Sequence, residues 1–283
     1  MEIAGSTEGL RAVVRKLHTP DVRLAFVPTM GNLHAGHLQL VRHARSIADR
    51  VAVSIFVNPM QFGANEDYAS YPRTLEADKA ALMEEDADLL FVPAVQDIYP
   101  GGVDPTTSVT VPGLNAILEG EYRPTHFDGV TTVVARLFNL IQPDVAIFGE
   151  KDYQQLLIIR RMVADLCMPI GIEAVATVRE ADGLAMSSRN RYLQDSERGR
   201  AVQIYRTLHD VKARVEAGAK DYAAIEAAAC RQLAEAGLEP DYISIRRQCD
   251  LAPPGAADRA LIVLAAARLG ATRLIDNIRI SIS

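Results

Sequence analysis

The chain of 283 residues contains no tryptophan, and only 6% of its residues are aromatic. Its three cysteines, Cys167, Cys230 and Cys249, lie far apart and form no Cys-x-x-Cys pair. So few thiols, in an odd number, favour free cysteines in a reducing compartment and argue against a disulfide framework. The longest strongly apolar run, residues 260–267, lies between two arginines and is far too short to span a bilayer. The first residues show no basic region followed by an apolar core, so we expect no signal peptide and a cytoplasmic protein.

The chain also has no excess of positive charge, since its formal net charge at pH 7 is -6. This balance argues against a general nucleic-acid-binding or anionic-membrane surface, although it leaves a local cationic pocket open. A hydrophobic content of 49% with 23% charged residues is typical of a soluble globular protein. A chain of this length can form one large domain or two smaller ones.

Strand-like and helix-like patterns alternate through the first two-thirds of the chain. Continuous apolar runs, typical of parallel strands buried on both faces, cover residues 24–27, 51–57, 88–92, 144–148 and 172–178. The helical patterns between them cover residues 37–49, about 73–86, 129–141 and 153–166. This alternation predicts an α/β fold with a doubly wound parallel sheet, in which ligands bind at the carboxyl ends of the strands.

The pattern changes after about residue 186. Two helical patterns, near residues 195–217 and 221–237, are followed by three strand-like runs at residues 242–246, 260–267 and 273–280. Helices grouped before strands predict a small α+β domain. We therefore expect a larger domain over residues 1–185 and a smaller C-terminal domain over residues 186–283.

The most informative segment is VPTMGNLHAGHLQLVRHA, residues 27–44. His34 and His37 stand three residues apart, just under one helical turn, so both imidazoles are expected on one face at a helix N-terminus. Backbone N–H groups and the helix dipole favour a phosphate there, and imidazoles can donate hydrogen bonds to it. Gly36, a costly residue inside a helix, suggests that a ligand approaches the backbone closely. The residues alone leave open a plain helix start with two solvated or structurally bonded histidines.

Two further segments follow predicted strands. Residues 58–63, Asn-Pro-Met-Gln-Phe-Gly, offer neutral amides that can bind a hydroxyl or a carboxylate, or that satisfy the backbone of a turn. In residues 149–152, Gly-Glu-Lys-Asp, the glycine permits close approach, the lysine suits phosphates and an acidic residue can accept from ribose hydroxyls. The same four residues also fit an N-capped helix with a surface Lys–Glu pair.

A fourth segment, Ala-Met-Ser-Ser-Arg-Asn at residues 185–190, combines two hydroxyls with a guanidinium that can surround a triphosphate. By itself it could equally be a polar loop between domains. Together, the four segments supply what an adenylyl-transfer site needs: donors at the α-phosphate, a cation for pyrophosphate, a ribose acceptor and a polar acyl pocket. Residues 186–189 also resemble the mobile KMSKS-type loop that accompanies the HxGH motif in class I aminoacyl-tRNA synthetases and related nucleotidyltransferases.

Nearly the whole chain closely resembles one family of the HxGH nucleotidyltransferase-like superfamily, the pantoate–β-alanine ligases (pantothenate synthetases). The matching segments occur in family order: PTMGNLHAGH (28–37), SIFVNPMQF (54–62), YPRTL (71–75), RPTHFDGV (123–130), LFNLIQPD (137–144), FGEKDYQQL (148–156), DGLAMSSRNRYL (182–193) and RLIDN (273–277). One departure is Thr125, which stands where many members have glycine, but His126 and Phe127 are in place.

Members of this family condense (R)-pantoate with β-alanine at the expense of ATP, through an enzyme-bound pantoyl adenylate, and release AMP and pyrophosphate. The resemblance implies that residues 1–185 form a Rossmann-like domain that binds ATP and pantoate, and that residues 186–283 form a lid. It also implies a homodimer and a Mg²⁺ ion that accompanies ATP. No metal ligands are assigned to the protein, and no nucleic-acid or membrane partner is expected.

The resemblance also assigns roles to individual residues. His37 would be the proton donor, with His34 and Lys151 as further catalytic residues. Gln61 and Gln155 would hold pantoate, and Gln61 would also lie near β-alanine. The implied ATP-binding residues are Met30, Gly31, Asn32, Leu33, His34, Ala35, Gly36, His37, Gly149, Glu150, Lys151, Asp152, Val178, Met186, Ser187, Ser188 and Arg189.

Two other classes of protein compete with this interpretation. The first is a nucleotidyltransferase that uses the same histidines to join a nucleotide to a phosphorylated acceptor. A pocket for a phosphorylated acceptor would call for more cations, whereas Gln61 and Gln155 are neutral. The second is a nucleotide-binding regulatory module without turnover. Such a module would not need all four of the charged or titratable residues His34, His37, Lys151 and Arg189. An assay of ATP consumption separates the regulatory module from the enzymes.

Overall fold

A computed structural model describes residues 1–64 and 66–282. The chain divides into two compact units. The first comprises Met1–Glu150 and Ile158–Ala176, and the second comprises Lys151–Leu157 and the chain from Thr177 onward. Within the described residues, no helix combines the length and the apolar character needed to cross a membrane.

The first unit is built on a sheet of six parallel strands. These strands are β1 (Glu2–Ala4), β2 (Leu24–Thr29), β3 (Arg50–Ile55), β4 (Leu89–Phe91), β5 (Val145–Gly149) and β6 (Gly171–Val175). The helices between them are α1 (Thr7–Leu17), α2 (Ala35–Ile47), α3 (Leu75–Glu84), α4 (Val95–Ile98), α5 (Glu119–Tyr122), α6 (His126–Ile141) and α7 (Tyr153–Asp165). This is the doubly wound α/β fold that the alternating pattern predicts.

Burial on both faces explains why the strands are continuous apolar runs. Residues 24–27 of β2 have no exposed surface, because helices cover the sheet on both sides. One part of the core lies between α2 and the strands β2 to β5, with Val41 and Ala44 on the helix and Val27, Val53 and Ile147 on the strands.

The strand order of this sheet is β1-β4-β3-β2-β5-β6. The chain builds outward from β2 in one direction through β3 and β4, and then returns to add β5 on the other side of β2. The change of direction between β2 and β5 creates a topological switch point, where doubly wound sheets bind ligands at the carboxyl ends of the strands. The predicted segments of residues 27–44, 58–63 and 149–152 lie at the carboxyl ends of β2, β3 and β5, which are adjacent strands.

The second unit is an α+β layer. It contains α8 (Asp195–Ala201), α9 (Gln203–Glu216) and α10 (Tyr222–Glu235), followed by β7 (Glu239–Arg247), β8 (Ala260–Leu269) and β9 (Thr272–Ser281). The three strands form an antiparallel sheet in sequence order. Apolar side chains of the helices, including Leu208, Val211 and Leu233, pack against Ile243, Val263 and other residues of the sheet.

Three details differ from the sequence-based expectations. The predicted helix over residues 195–217 is two helices, because the chain is interrupted at Val202, which ends α8 and precedes α9. Strand β1 and helices α1, α4 and α5 had no predicted counterpart. The division between units also falls earlier than residue 185: residues 177–185, and the first turn of α7 with Lys151 and Asp152, belong to the second unit.

Candidate active site

The turn between β2 and α2 has a backbone conformation that depends on a distant carboxylate. Gly31 has φ +81°, and a side chain there would place its Cβ 2.9 Å from Ile55 Cγ2 and 3.2 Å from Asp78 Oδ2. Asp78, on α3, is buried and accepts hydrogen bonds from the backbone N–H groups of Asn32 (2.9 Å) and Leu33 (2.8 Å). The hydroxyl of Thr74 donates to the same carboxylate at 3.1 Å. Asp78 therefore fixes the segment that leads into the two histidines.

His34 and His37 lie together at the N-terminus of α2, as the three-residue spacing predicts. His34 is the N-cap, and its Nδ1 accepts from the backbone N–H of Gly36 at 3.1 Å. His37 Nδ1 lies 3.4 Å from the backbone N of His34, and the two ring centroids are 4.0 Å apart. A backbone N–H can only donate, so each neutral ring carries its hydrogen on Nε2. The site therefore has two imidazole N–H donors beside the positive end of a helix dipole.

Gln61 lies in the 3₁₀ turn of residues 59–61 after β3, and it connects this turn to the histidine segment. Its Nε2 lies 3.1 Å from the Sδ of Met30, and its Oε1 lies 3.2 Å from Asn58 Nδ2. The hydroxyl of Tyr99 donates to Asn58 Oδ1 at 2.7 Å. Met30 and Gln61, which the resemblance assigns to ATP and pantoate, are thus neighbours in the structure.

Helix α6 supports the turn of residues 59–61 through a direct backbone contact. A Cβ on Gly129 would lie 2.4 Å from Met60 O and 2.7 Å from Gln61 N, so only glycine permits this approach. Asn58 Nδ2 donates to the Gly129 carbonyl at 3.0 Å and completes the contact.

His126 and Arg123 bind the backbone of Gln61 from the other side. His126 Nδ1 lies 2.9 Å from the Gln61 carbonyl, to which it must donate, and Arg123 Nη1 lies 3.1 Å from His126 Nε2. Burial and the charge of Arg123 lower the pKa of His126 to about 4, so the ring is neutral at pH 7 and its Nε2 accepts from Arg123. Arg123 is itself paired with Glu66, with Nη2 and Oε2 2.5 Å apart.

In the second unit, Lys151 is held by residues of β9. Asn277 Nδ2 donates to the Lys151 carbonyl at 2.9 Å. Its neighbour Asp276 is buried and makes a bidentate pair with Arg179, at 2.7 and 2.9 Å. The guanidinium of Arg179 lies 4.5 Å from the centroid of the Tyr205 ring. These contacts fix the backbone from which the Lys151 side chain extends.

The segment of residues 186–189 is also anchored within the second unit. Met186 N donates to the carbonyl of Val178 at 3.0 Å, so these two predicted ATP-binding residues are adjacent. Ser187 caps the 3₁₀ turn of residues 188–192 by accepting from Arg189 N at 3.2 Å. Asn190 donates through Nδ2 to Glu180 Oε1 and to the Ala185 carbonyl, both at 3.1 Å.

The predicted site residues are divided between the two units. Residues 30–37, Gln61, Gly149 and Glu150 belong to the first unit, and Lys151, Asp152, Gln155, Val178 and residues 186–189 belong to the second. Gln155 is half-buried on α7, and Asp152 is exposed. Sequence reasoning assigned no role to Asp78, Tyr99, Arg123, His126 or Arg179, because none of them lies in a segment whose pattern indicates chemistry.

The fold and the site define a class of protein: a nucleotide-binding α/β enzyme of the HxGH nucleotidyltransferase type. A capped histidine pair follows the central strand β2, and a Glu-Lys-Asp turn follows the neighbouring strand β5. Comparison with known proteins narrows this class. A model of the family described as pantoate-beta-alanine ligase matches residues 2–279. The chain therefore belongs to the pantoate-beta-alanine ligase family.

Individual relatives agree with this assignment. The chain is 54% identical over 282 residues to the pantothenate synthetase of Methylococcus capsulatus, covering 100% of this chain and 99% of the relative. The crystal structure of pantothenate synthetase from Thermus thermophilus is 46% identical, with a TM-score of 0.89 and coverage of 98% and 99%. A Francisella tularensis pantoate-beta-alanine ligase, complexed with beta-gamma ATP and beta-alanine, is 34% identical, with a TM-score of 0.84 and coverage of 98% and 97%.

Proposed function

We propose that this chain carries out its family's reaction, the ATP-dependent condensation of (R)-pantoate with β-alanine to give pantothenate, AMP and pyrophosphate. The pantoate carboxylate attacks the α-phosphate of ATP and forms a pantoyl adenylate. The amine of β-alanine then attacks the activated acyl carbon and displaces AMP. Family membership over the whole chain supports this reaction, and the histidine pair on α2 is the feature of the site that supports it best.

The histidines are suited to the first step. Negative charge develops on the α-phosphate and on the departing pyrophosphate as the carboxylate attacks. Because Nδ1 of each ring is engaged with backbone, the Nε2–H groups of His34 and His37 are the ring groups that can donate to this charge. Donors held in place before the reaction stabilise the transition state without reorganisation. We assign His37 as the proton donor, with His34 beside it.

The remaining nucleotide contacts are assigned by residue type and position. Residues 30–37 would line ATP, together with Gly149 and Glu150. Lys151, whose backbone is held by Asn277, supplies a compact cation for the phosphates, and Asp152 accepts from the ribose. Val178 would contact adenine, and residues 186–189 would bind the triphosphate through two hydroxyls and the Arg189 guanidinium.

The acyl substrate is assigned to Gln61 and Gln155. Neutral amides can bind the hydroxyls and the carboxylate of pantoate without adding charge to the site. Gln61 is also assigned to β-alanine, which the Francisella tularensis relative holds in its complex. A phosphorylated acceptor would call for cations in this pocket, whereas the groups that contact the Gln61 side chain, Asn58 and Met30, are uncharged.

Mg²⁺ is proposed as a companion of ATP. This ion usually keeps several water ligands and binds through substrate phosphates, so we treat it as part of the nucleotide substrate. We further propose a homodimer and a cytoplasmic location. Sedimentation equilibrium of the purified protein tests the dimer.

Isotope exchange between pyrophosphate and ATP tests the proposed reaction. The purified protein is expected to catalyse exchange only when pantoate is present, and to form pantothenate and AMP when β-alanine is added. Exchange without pantoate, or transfer of a nucleotide to a phosphorylated acceptor, would contradict the proposal.

Substitution of His37 tests its assigned role. His37→Ala is expected to lower kcat by about 10²–10³-fold, the usual effect of removing one such donor. His43→Ala is the matched control, because it removes an imidazole from the same helix nearer its C-terminal end. Wild-type turnover by folded His37→Ala would refute the assignment.

A further inference from the structure

The hydrogen-bond partners of Asn58 favour one of the two orientations of its amide. Asn58 is 1% exposed, so its amide is buried among protein groups. Its Nδ2 lies 3.0 Å from the Gly129 carbonyl, which can only accept, and its Oδ1 lies 3.3 Å from the backbone N–H of Met60, which can only donate. Exchanging the oxygen and the nitrogen would break both hydrogen bonds and oppose like groups in a buried site.

The orientation of Asn58 determines whether the Tyr99 hydroxyl donates or accepts a hydrogen bond. The tyrosine hydroxyl lies 2.7 Å from Asn58 Oδ1, which has no hydrogen to give, so the hydroxyl donates. Burial raises the pKa of Tyr99 to about 12, so the donated hydrogen is retained throughout the physiological range of pH. The guanidinium of Arg136 lies 4.7 Å from the centroid of the Tyr99 ring and helps to hold it in place.

Asn58 in turn determines the orientation of Gln61. The remaining hydrogen of Asn58 Nδ2 points to Gln61 Oε1 at 3.2 Å, so the amide nitrogen of Gln61 faces the opposite way. That nitrogen lies 3.1 Å from the Sδ of Met30, and a thioether sulfur is a weak acceptor that a substrate oxygen can replace. The Gln61 backbone is fixed independently by His126, so the side chain pivots from an anchored point.

We propose that Tyr99 is a positioning residue for the acyl substrate: its hydroxyl fixes Asn58, and Asn58 fixes Gln61 with its N–H donors directed to the substrate. This inference rests on the proposed function, in which Gln61 binds pantoate. Pantoate offers a carboxylate and hydroxyl oxygens, all of which can accept. A Gln61 amide turned the other way would present only a lone-pair oxygen, which an anionic carboxylate repels.

The first test is Tyr99→Phe, which removes the hydroxyl and keeps the ring. Without the hydroxyl, Asn58 Oδ1 keeps only the longer bond to Met60 N at 3.3 Å, so a fraction of molecules loses the observed arrangement of Asn58 and Gln61. The apparent affinity for pantoate then falls by the fraction of molecules that stay competent. We expect KM for pantoate to rise roughly 5- to 30-fold, the effect of losing one buried hydrogen bond. Both kcat at saturating pantoate and KM for ATP are expected to change by less than about twofold, because the chemical step is untouched.

The matched control is Thr132→Val on α6. It also removes a buried hydroxyl from the first unit, one whose hydrogen bond with Val109 N at 2.9 Å involves neither Asn58 nor Gln61. A structural defect common to both variants would lower the melting temperature and shift all kinetic constants together. The inference requires that only Tyr99→Phe raise KM for pantoate.

The second test, Gln61→Glu, examines the direction of the Gln61 amide without altering Tyr99. One carboxylate oxygen can accept from Asn58, so the other faces pantoate as an acceptor. We expect the ratio of KM for pantoate in this variant to KM in the wild type to increase with pH, as the introduced carboxyl ionises. A KM for pantoate equal to that of the wild type at every pH would overturn the inference, because a carboxylate cannot replace an amide that donates to pantoate.

The outcomes separate this inference from the proposed function. A wild-type protein that shows no pantoate-dependent exchange would contradict the function itself. An active wild type with unchanged KM for pantoate in folded Tyr99→Phe would overturn the role of Tyr99 alone. If Tyr99→Phe does not fold, as judged by circular dichroism, an unchanged KM for pantoate in Gln61→Glu still overturns the inference, because the role of Tyr99 requires that Gln61 donate to pantoate.

Discussion

Replacing Asp78 with asparagine is expected to weaken both the fold and the nucleotide site. The carboxylate accepts from two backbone donors, the N–H groups of Asn32 and Leu33, through different oxygens. Asparagine has almost the same shape but only one oxygen. In either orientation its NH₂ group must therefore face one of the two N–H groups.

The magnitude follows from these contacts. Asp78→Asn removes one hydrogen bond to a charged group, which contributes about 1.5–3 kcal/mol, and leaves a buried N–H donor without an acceptor, which costs about 1–3 kcal/mol. Removal of a buried charge offsets part of this loss. We expect the free energy of unfolding to fall by about 2–4 kcal/mol, and Tm to fall by roughly 4–12 °C for a chain of this size.

Two measurements check this prediction. Urea unfolding gives the loss of stability, and steady-state kinetics are expected to show a several-fold rise in KM for ATP, because the turn before the histidines is no longer fixed. Glu76→Gln is the control on the same helix: Glu76 is 86% exposed and pairs with Lys79 on the surface, so its loss is expected to cost less than about 1 kcal/mol. Asp78→Asn with wild-type stability and wild-type KM for ATP would refute the reasoning.

Three further predictions concern α6, pH and the thiols. Gly129→Ala is expected to cost about 1–3 kcal/mol of unfolding free energy and to raise KM for pantoate, because the added Cβ would meet the Met60 carbonyl. In the control, Gly199→Ala, the added Cβ meets nothing within 4 Å and should stabilise the protein by up to about 1 kcal/mol. Equal changes in unfolding free energy in the two variants would contradict this prediction. The pKa of His126 is about 4 in the fold and 6.5 ordinarily, so the unfolded chain binds a proton at a higher pH than the folded chain does. The free energy of unfolding should therefore fall by at most about 3 kcal/mol as the pH is lowered from 6.5 to 4. If the unfolding free energy of His126→Asn, measured by denaturant titration at each pH, falls as much as that of the wild type, this explanation is refuted. Replacing the three cysteines with alanine should leave kcat unchanged, since the mechanism has no thiol step, and an inactive folded variant would disprove that mechanism.

Much of the fold and of the candidate site could be predicted from local sequence pattern. Continuous apolar runs define parallel strands buried on both faces, and the alternation of strands with helical periodicity defines a doubly wound sheet. The histidine site is also local: His34 caps α2 through a bond to Gly36, two residues away, and His37 follows within one turn. Interactions of this range depend on consecutive residues, so spacing alone reveals them.

The supports of the site could not be predicted in this way. Asp78 binds a backbone N–H 46 residues earlier, Tyr99 binds a side chain 41 residues earlier, and Asn58 bonds to a carbonyl 71 residues later. Asp78 and Tyr99 lie in segments with no pattern that indicates chemistry, and the amides of residues 58–63 do not reveal the partner of Asn58. Nothing in the helical pattern of α6 identifies Gly129 as the residue that Met60 approaches. A hydrogen bond between distant parts of the chain leaves no periodicity in the sequence.

The sequence by itself therefore determined the family, most of the strands and helices, and the chemical groups that the chain can bring to a site. Only the tertiary structure decided which way those groups face. The orientation of the Gln61 amide depends on Asn58, Tyr99 and the Gly129 carbonyl, which come together because α6 and the segment after β4 pack against the turn that follows β3. Packing brings these groups within hydrogen-bonding distance, and a buried polar group must then take the one orientation that satisfies all its neighbours.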